Sequence, residues 1–161
     1  MLAWIISDIH HSRLRDLSGD RLSITKADIC ICVGDVANSI DDSISYLLQI
    51  IEPTMPVVLV LGNHDYYGSG IAFALERARR LIDGKRIFLL ENQSLVIDQC
   101  RFIGATLWTD FSVSVGDDEF IPPEERRAKA FSLVPSKIMD FSYIFRSDKR
   151  RPTENGMVTA E

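Results

Sequence analysis

A chain of 161 residues, 46% apolar and 25% charged, has the size and make-up of one globular domain, able to bury about 70% of its unfolded surface. A formal charge of −5 argues against a general nucleic-acid or acidic-membrane binder. Three cysteines without a C-x-x-C spacing point away from a zinc ribbon or disulfide framework and suit a reducing, cytoplasmic setting. No stretch approaches a membrane span, and the apolar start over residues 1–6 is too short for a signal segment.

Continuous apolar runs at 2–6, 29–33 and 57–61 predict three strands covered on both faces. Cys30 and Cys32, two apart on the second run, share a face and pack as small apolar residues. Between the second and third runs, Ile40, Ile44, Leu47, Leu48 and Ile51 recur with helical spacing. Ser39, with Asp42 three residues later, caps that helix, and Pro53 stops it. A second helix carries Ile71, Leu75, Ala78, Leu81 and Ile82 on its inner face and ends near Gly84. Its Arg77, Arg79 and Arg80 face water. Runs at 87–90, 95–97 and 102–106, joined by turns at Glu91-Asn92-Gln93 and Asp98-Gln99, predict an antiparallel meander.

Residues 112–161 are more weakly patterned. Pro122-Pro123 before Glu124 and Glu125 marks a helix start. Ala128, Phe131 and Val134 give it a rough apolar face, and Pro135 interrupts it. Ile138, Phe141 and Phe145 predict a second short helix, and the polar end at 151–156 is expected to fray. Residues 1–123 carry a charge of −7 and residues 124–151 a charge of +4; the basic stretch reads as a solvated helix face.

Three polar signatures stand where apolar strands end: Asp8-Ile9-His10, Gly34-Asp35 and Gly62-Asn63-His64-Asp65. In an open α/β sheet, ligands gather beyond the carboxyl ends of the strands. Carboxylates, imidazole and an amide oxygen converging there form a donor set for Mn, Fe or Zn. Each signature alone has an ordinary explanation: a cap at Asp8, a turn at Gly34-Asp35, a left-handed asparagine at Asn63. The three in series point to a metal site. His11 matches no motif position and is expected to be exposed or to cap.

The order Asp-x-His, Gly-Asp, Gly-Asn-His-Asp resembles that of the calcineurin-like metallophosphoesterases, hydrolases of phosphate esters that hold two metal ions. The segment from Gly104 through Trp108 and Asp110 to Phe111 is similar to a stretch of bacterial members, so the resemblance spans roughly residues 2–111. It implies an α/β fold of two mixed sheets packed face to face with helices outside, forming a single domain over residues 1–161. It also implies that Asp8, His10 and Asp35 bind one metal, that Asp35 and Asn63 bind a second, and that Asp35 bridges the two. His64 would face the substrate, and Asp65 would orient its imidazole. Trp108 and Asp110 would wall the cleft, with Trp108 equally suited to the core. The family pattern continues with further histidines, whereas this chain has only His10, His11 and His64.

The expectation is therefore a C-terminally truncated domain. It is either a phosphoesterase with an impaired two-metal site or a non-catalytic remnant serving as a binding module, unless another chain supplies the missing imidazoles. An uncovered sheet edge would favour self-association. A phosphate ester is the expected ligand, with no membrane or specific nucleic-acid partner.

Overall fold

The computed structural model describes residues 1–12, 22–114, 116 and 120–145. The polar end at 151–156, and with it the last part of the basic stretch, lies outside the described residues.

The three apolar runs form strands β1 (Ala3–Ile6), β2 (Ile29–Val33) and β3 (Val57–Val60), and Ile87–Leu89 forms β5. They make one four-stranded parallel sheet in the order β1-β2-β3-β5. Side chains alternate across it. Ile6, Cys30, Cys32, Val57, Leu59, Ile87 and Leu89 join the larger core cluster. Ile29, Val58 and Leu90 form a smaller one on the opposite face.

Helix α1 (Ile40–Tyr46) starts as expected. Ser39 Oγ accepts from the Asp42 amide at 3.2 Å and donates to the Asp42 carboxylate at 2.8 Å. It then widens into a π-type turn at Leu47–Ile51, closed by the Glu52 amide donating to Leu47 O at 2.9 Å. The wider turn keeps both Leu47 and Ile51 fully buried. After β3 comes a 3-10 turn at His64–Tyr66, the two-residue strand β4 (Ser69–Gly70) and helix α2 (Ile71–Leu81). Helices α1 and α2 pack together, and Arg77 of α2 donates to Asp41 of α1 at 2.7 Å.

The predicted meander needs correction. Its first member, β5, lies parallel to β3 because α2 carries the chain back across the sheet. Only β6 (Gln93–Ile97) and β7 (Cys100–Gly104) pair antiparallel. Asp98 and Gln99, both with positive φ, make the two-residue turn of this hairpin, so β7 begins two residues earlier than its apolar pattern suggested. The hairpin forms the second layer. Leu95, Ile97 and Phe102 close over Ile29, Val58 and Leu90, and β7 lies against β3.

The C-terminal region resolves into α3 (Pro123–Leu133), a 3-10 turn at Val134–Ser136, the short helix α4 (Asp140–Tyr143) and β8 (Ile144–Phe145). Phe145 belongs to β8, not to the short helix expected there. Strand β8 pairs in parallel with β4.

Cover on both faces holds only in part. The hairpin reaches β3 but leaves Ile5 of β1 66% exposed and Val33 of β2 47% exposed, while Ile103 on β7 is 80% exposed. Among the described residues these form an apolar surface next to the β1 edge. Uncovered apolar area forfeits roughly 25 cal/mol per Å², so the chain is expected to self-associate in size-exclusion chromatography with light scattering, and Ile103→Lys to shift it toward monomer. The thiols provide a separate check. Burial pushes Cys30 up to about 11 and Cys32 up to about 12, whereas Cys100 is exposed. A disulfide reagent at pH 8 is expected to titrate one thiol quickly and the other two only after unfolding.

Candidate functional site

The strand exits are laced together by backbone hydrogen bonds. The amide of Asp8 donates to Gly34 O at 3.2 Å, that of His10 to Asp35 O at 3.0 Å, and that of His11 to Val36 O at 2.7 Å. This register holds Asp8, His10 and Asp35 in left-handed conformation, with φ of 52°, 45° and 54°. Such backbone costs a non-glycine residue roughly 1 kcal/mol and persists only where its surroundings over-determine it. Asn63, in contrast, is right-handed at φ −62°, so the motif asparagine is not a left-handed turn residue.

The glycines before the second and third signatures let the loops touch. A Cβ on Gly34 would collide with the Gly62 backbone, and one on Gly62 would collide with the Asp35 carboxylate and amide. Gly34 also needs its φ of 91°.

His10, Asp35 and His64 come together, with one donor atom from each within 4.8 Å of the others. The rings of His10 and His64 meet edge to face at 4.6 Å. Asp35 Oδ1 accepts the His64 amide at 3.0 Å, which fixes the carboxylate and leaves Oδ2 for another partner. Asn38 Oδ1 lies 2.8 Å from His64 Nδ1. With that carboxamide oxygen accepting, Nδ1 carries the proton and Nε2 presents its lone pair. Asp8 stands at the rim, its Oδ1 3.9 Å from His10 Nε2. Asn63 is half-buried and donates through Nδ2 to Asp140 Oδ1 at 2.7 Å.

Asp65 has a different part from the expected one. Its carboxylate is fully buried and accepts from the amides of Asp35 (2.9 Å), Val36 (3.1 Å), Ala37 (3.4 Å) and Gly62 (2.8 Å), and from Ser43 Oγ (2.6 Å). These donors are loop backbone and α1. The group on the His64 ring is Asn38. Burial raises the Asp65 carboxyl above its usual range, while the hydrogen bonds pull it the other way. His11 packs its ring 4.5 Å from that of Tyr46, half-buried.

Sequence reading missed Asn38, Ser43, Tyr67 and Asp140. Asn38 and Ser43 are polar residues around a helix start, where capping is the ordinary reading. Tyr67 tilts over the His64 ring at 4.4 Å and donates its hydroxyl to Asp140 at 2.8 Å. Burial and then the Asp140 carboxylate push this phenol up to about 12. Nothing in sequence marks Asp140, 77 positions from Asn63.

Two grooves flank the cluster. One of about 680 Å³ reaches from Asn38 and His64 to Phe73, Met139 and Tyr143. The other, of about 970 Å³, runs from Asn63 past Thr106, Trp108 and Asp110. Trp108 is half-buried against Tyr66, ring centroids 5.8 Å apart, and so serves both core and groove. Among the described residues no helix is long and apolar enough to cross a membrane.

A parallel sheet with imidazoles and carboxylates gathered at its strand exits defines an α/β domain of the phosphoesterase type. Residues 1–136 match the family model of the calcineurin-like phosphoesterases, and the chain belongs to that family. An uncharacterised protein, L509, of Acanthamoeba polyphaga mimivirus is 33% identical over 95 residues, which cover 51% of this chain and 32% of that protein. Phosphopantetheinyl hydrolase from Mycobacterium tuberculosis has the same fold, with a TM-score of 0.64 at 19% identity over 96% of this chain and 57% of the hydrolase. The chain thus spans about a third of the viral relative and just over half of the solved structure.

Asp65→Ala leaves several buried donors unpaired and is expected to lower the unfolding free energy by about 3 kcal/mol or more in urea titration. Asp8→Gly relieves a left-handed backbone at an exposed position and is expected to leave stability unchanged or raise it by up to about 1 kcal/mol.

Proposed function

We propose that this chain hydrolyses phosphate esters with a divalent metal ion held by Asp8, His10 and Asp35, and that Asn63 would offer its amide oxygen, with Asp35, to a second ion. The observation that carries the reading is that His10 and Asp35 bring donor atoms within 4.8 Å of each other and of His64, with Asp8 Oδ1 at the rim 3.9 Å from His10 Nε2, in a chain of the calcineurin-like phosphoesterase family. The mixed nitrogen and oxygen donors fit Mn, Fe or Zn. When bound, such an ion neutralises the phosphoryl oxygens and makes a nucleophile available at neutral pH.

The side chains do the rest. Asp35, pinned through Oδ1 by the His64 amide, presents Oδ2, the oxygen that would serve both ions. His64, held at Nδ1 by Asn38 and covered on one face by the Tyr67 ring, directs Nε2 at the substrate. In its protonated form it hands a proton to the departing oxygen. Asp65 stands behind the reacting groups and acts by fixing the loops that carry Asp35 and His64.

We infer further that one ion is held firmly and a second weakly. Asp8, His10 and Asp35 give the first site three donors, whereas Asp35 and Asn63 give the second only two, and metal sites generally use three or four protein donors. A phosphate ester is the substrate class; which alcohol it carries is left to the grooves.

After dialysis against Mn, one tightly held equivalent per chain is expected. Asp35→Ala should lower metal content more than Asn63→Ala. His64→Ala should leave it nearly unchanged while lowering phosphoester hydrolysis by about 100-fold or more. Metal loss in His64→Ala as large as in Asp35→Ala would make His64 a ligand, and the absence of any metal uptake would defeat the reading.

A further inference from the structure

The described C-terminal residues are tied to the metal loop by one continuous set of contacts. Strand β8 pairs with β4, matching Ser69 to Ile144 and Gly70 to Phe145. The Gly68 amide donates to Tyr143 O at 2.8 Å. The rings of Tyr143 and Tyr67 stack at 5.3 Å with 26° between their planes. At the start of α4, Asp140 Oδ1 accepts both from Tyr67 OH at 2.8 Å and from Asn63 Nδ2 at 2.7 Å. All of these contacts grip the segment 63–70, which follows directly from β3.

A carboxamide can present either its oxygen or its NH₂ group to a given point, and the two ends are nearly isosteric. A metal ion takes only the oxygen. An ionised carboxylate has no proton to donate, so the end of Asn63 facing Asp140 must be the NH₂. Its oxygen is then turned away from α4. Tyr67 reinforces this arrangement, because its single hydroxyl proton is already given to Asp140 and it can only accept from Asn63 Nδ2, at 3.4 Å.

We propose that Asp140 is a positioning residue for Asn63. It selects the rotamer that presents the amide oxygen as a metal donor, and it makes metal affinity depend on the C-terminal residues that carry it. This rests on the reading of Asn63 as a metal donor. Without Asp140 the carboxamide loses its bias between two orientations, only one of which binds a cation, and a freely turning donor binds less well than a fixed one.

The test follows the orientation in metal-free protein and the affinity for Mn separately. In NMR spectra of the metal-free full chain, the side-chain NH₂ pair that disappears in Asn63→Ala belongs to Asn63. Asp140→Ala is expected to shift that pair and speed its exchange with water, with the melting transition still cooperative. By calorimetry, Asp140→Ala should weaken binding of the second, weaker Mn equivalent about tenfold in the wild-type background while leaving the first within about twofold, and should change it less than about twofold when Asn63 is already Ala. Asp140→Asn, whose carboxamide can offer Asn63 either an acceptor or an NH₂ group, removes the same bias at nearly equal volume and should weaken Mn binding about as much as Asp140→Ala; this variant also serves if the alanine variant does not fold.

An unmoved Asn63 pair, or an equal loss of affinity with and without Asn63, would overturn the proposal. So would wild-type Mn affinity in Asp140→Asn, because a carboxamide there no longer compels the NH₂ end of Asn63 to face it. If the wild-type chain takes up no Mn while the Asn63 pair still responds to Asp140→Ala, the positioning contact stands and the metal reading is what fails.

Discussion

The Asp65 carboxylate is the point on which the rest of the site depends. A buried carboxylate is tolerable only when its lone pairs are filled, and here five donors fill them. Those donors come from the loop after β2, the loop after β3 and helix α1, so a single group determines how three elements meet. The burial that makes the anion expensive also makes its hydrogen bonds strong and exact in direction. Asp35 and His64, one at each end of this arrangement, inherit their separation from it.

Around that anchor the backbone is drawn tight. Gly34 and Gly62 allow the two loops to approach more closely than any side chain permits, and the backbone bonds from 8–11 to 34–36 force three candidate donors into left-handed conformation. Strained backbone concentrated on functional side chains, and compensated by the surrounding hydrogen bonds, is the pattern expected of a pre-organised site. Stability and donor geometry therefore pull in opposite directions at Asp8, His10 and Asp35.

The domain is asymmetric about its parallel sheet. Helices α1 and α2 seal one face, while the hairpin covers only part of the other. The site sits at the strand exits between these halves, and the segment 139–145 reaches the same loop from the far end of the described chain. That segment shares no sequence pattern with the motifs it supports; the β4–β8 pairing and the Tyr67–Tyr143 stack bring it to the loop, and two hydrogen bonds to one oxygen of Asp140 reach Asn63 and Tyr67.

What could be read from sequence alone was local and periodic. Strands β1 to β3, helices α1 and α2, the Ser39 cap and the buried thiols of Cys30 and Cys32 follow from apolar spacing and capping chemistry. The three motifs identified the candidate donors because each stands where a strand must end. Periodicity does not encode partner choice, however: β5 reads like any short strand, and only the path of α2 puts it parallel beside β3. Nor does it encode side-chain direction. Asp65 and Asn38 exchange the roles that chain adjacency suggests, because a side chain next to His64 in sequence points into the core while one 26 positions away faces the ring. The bare patch at Ile5 and Val33 and the hold of Asp140 on Asn63 were likewise decided by packing, since both depend on residues far apart in the chain meeting in space.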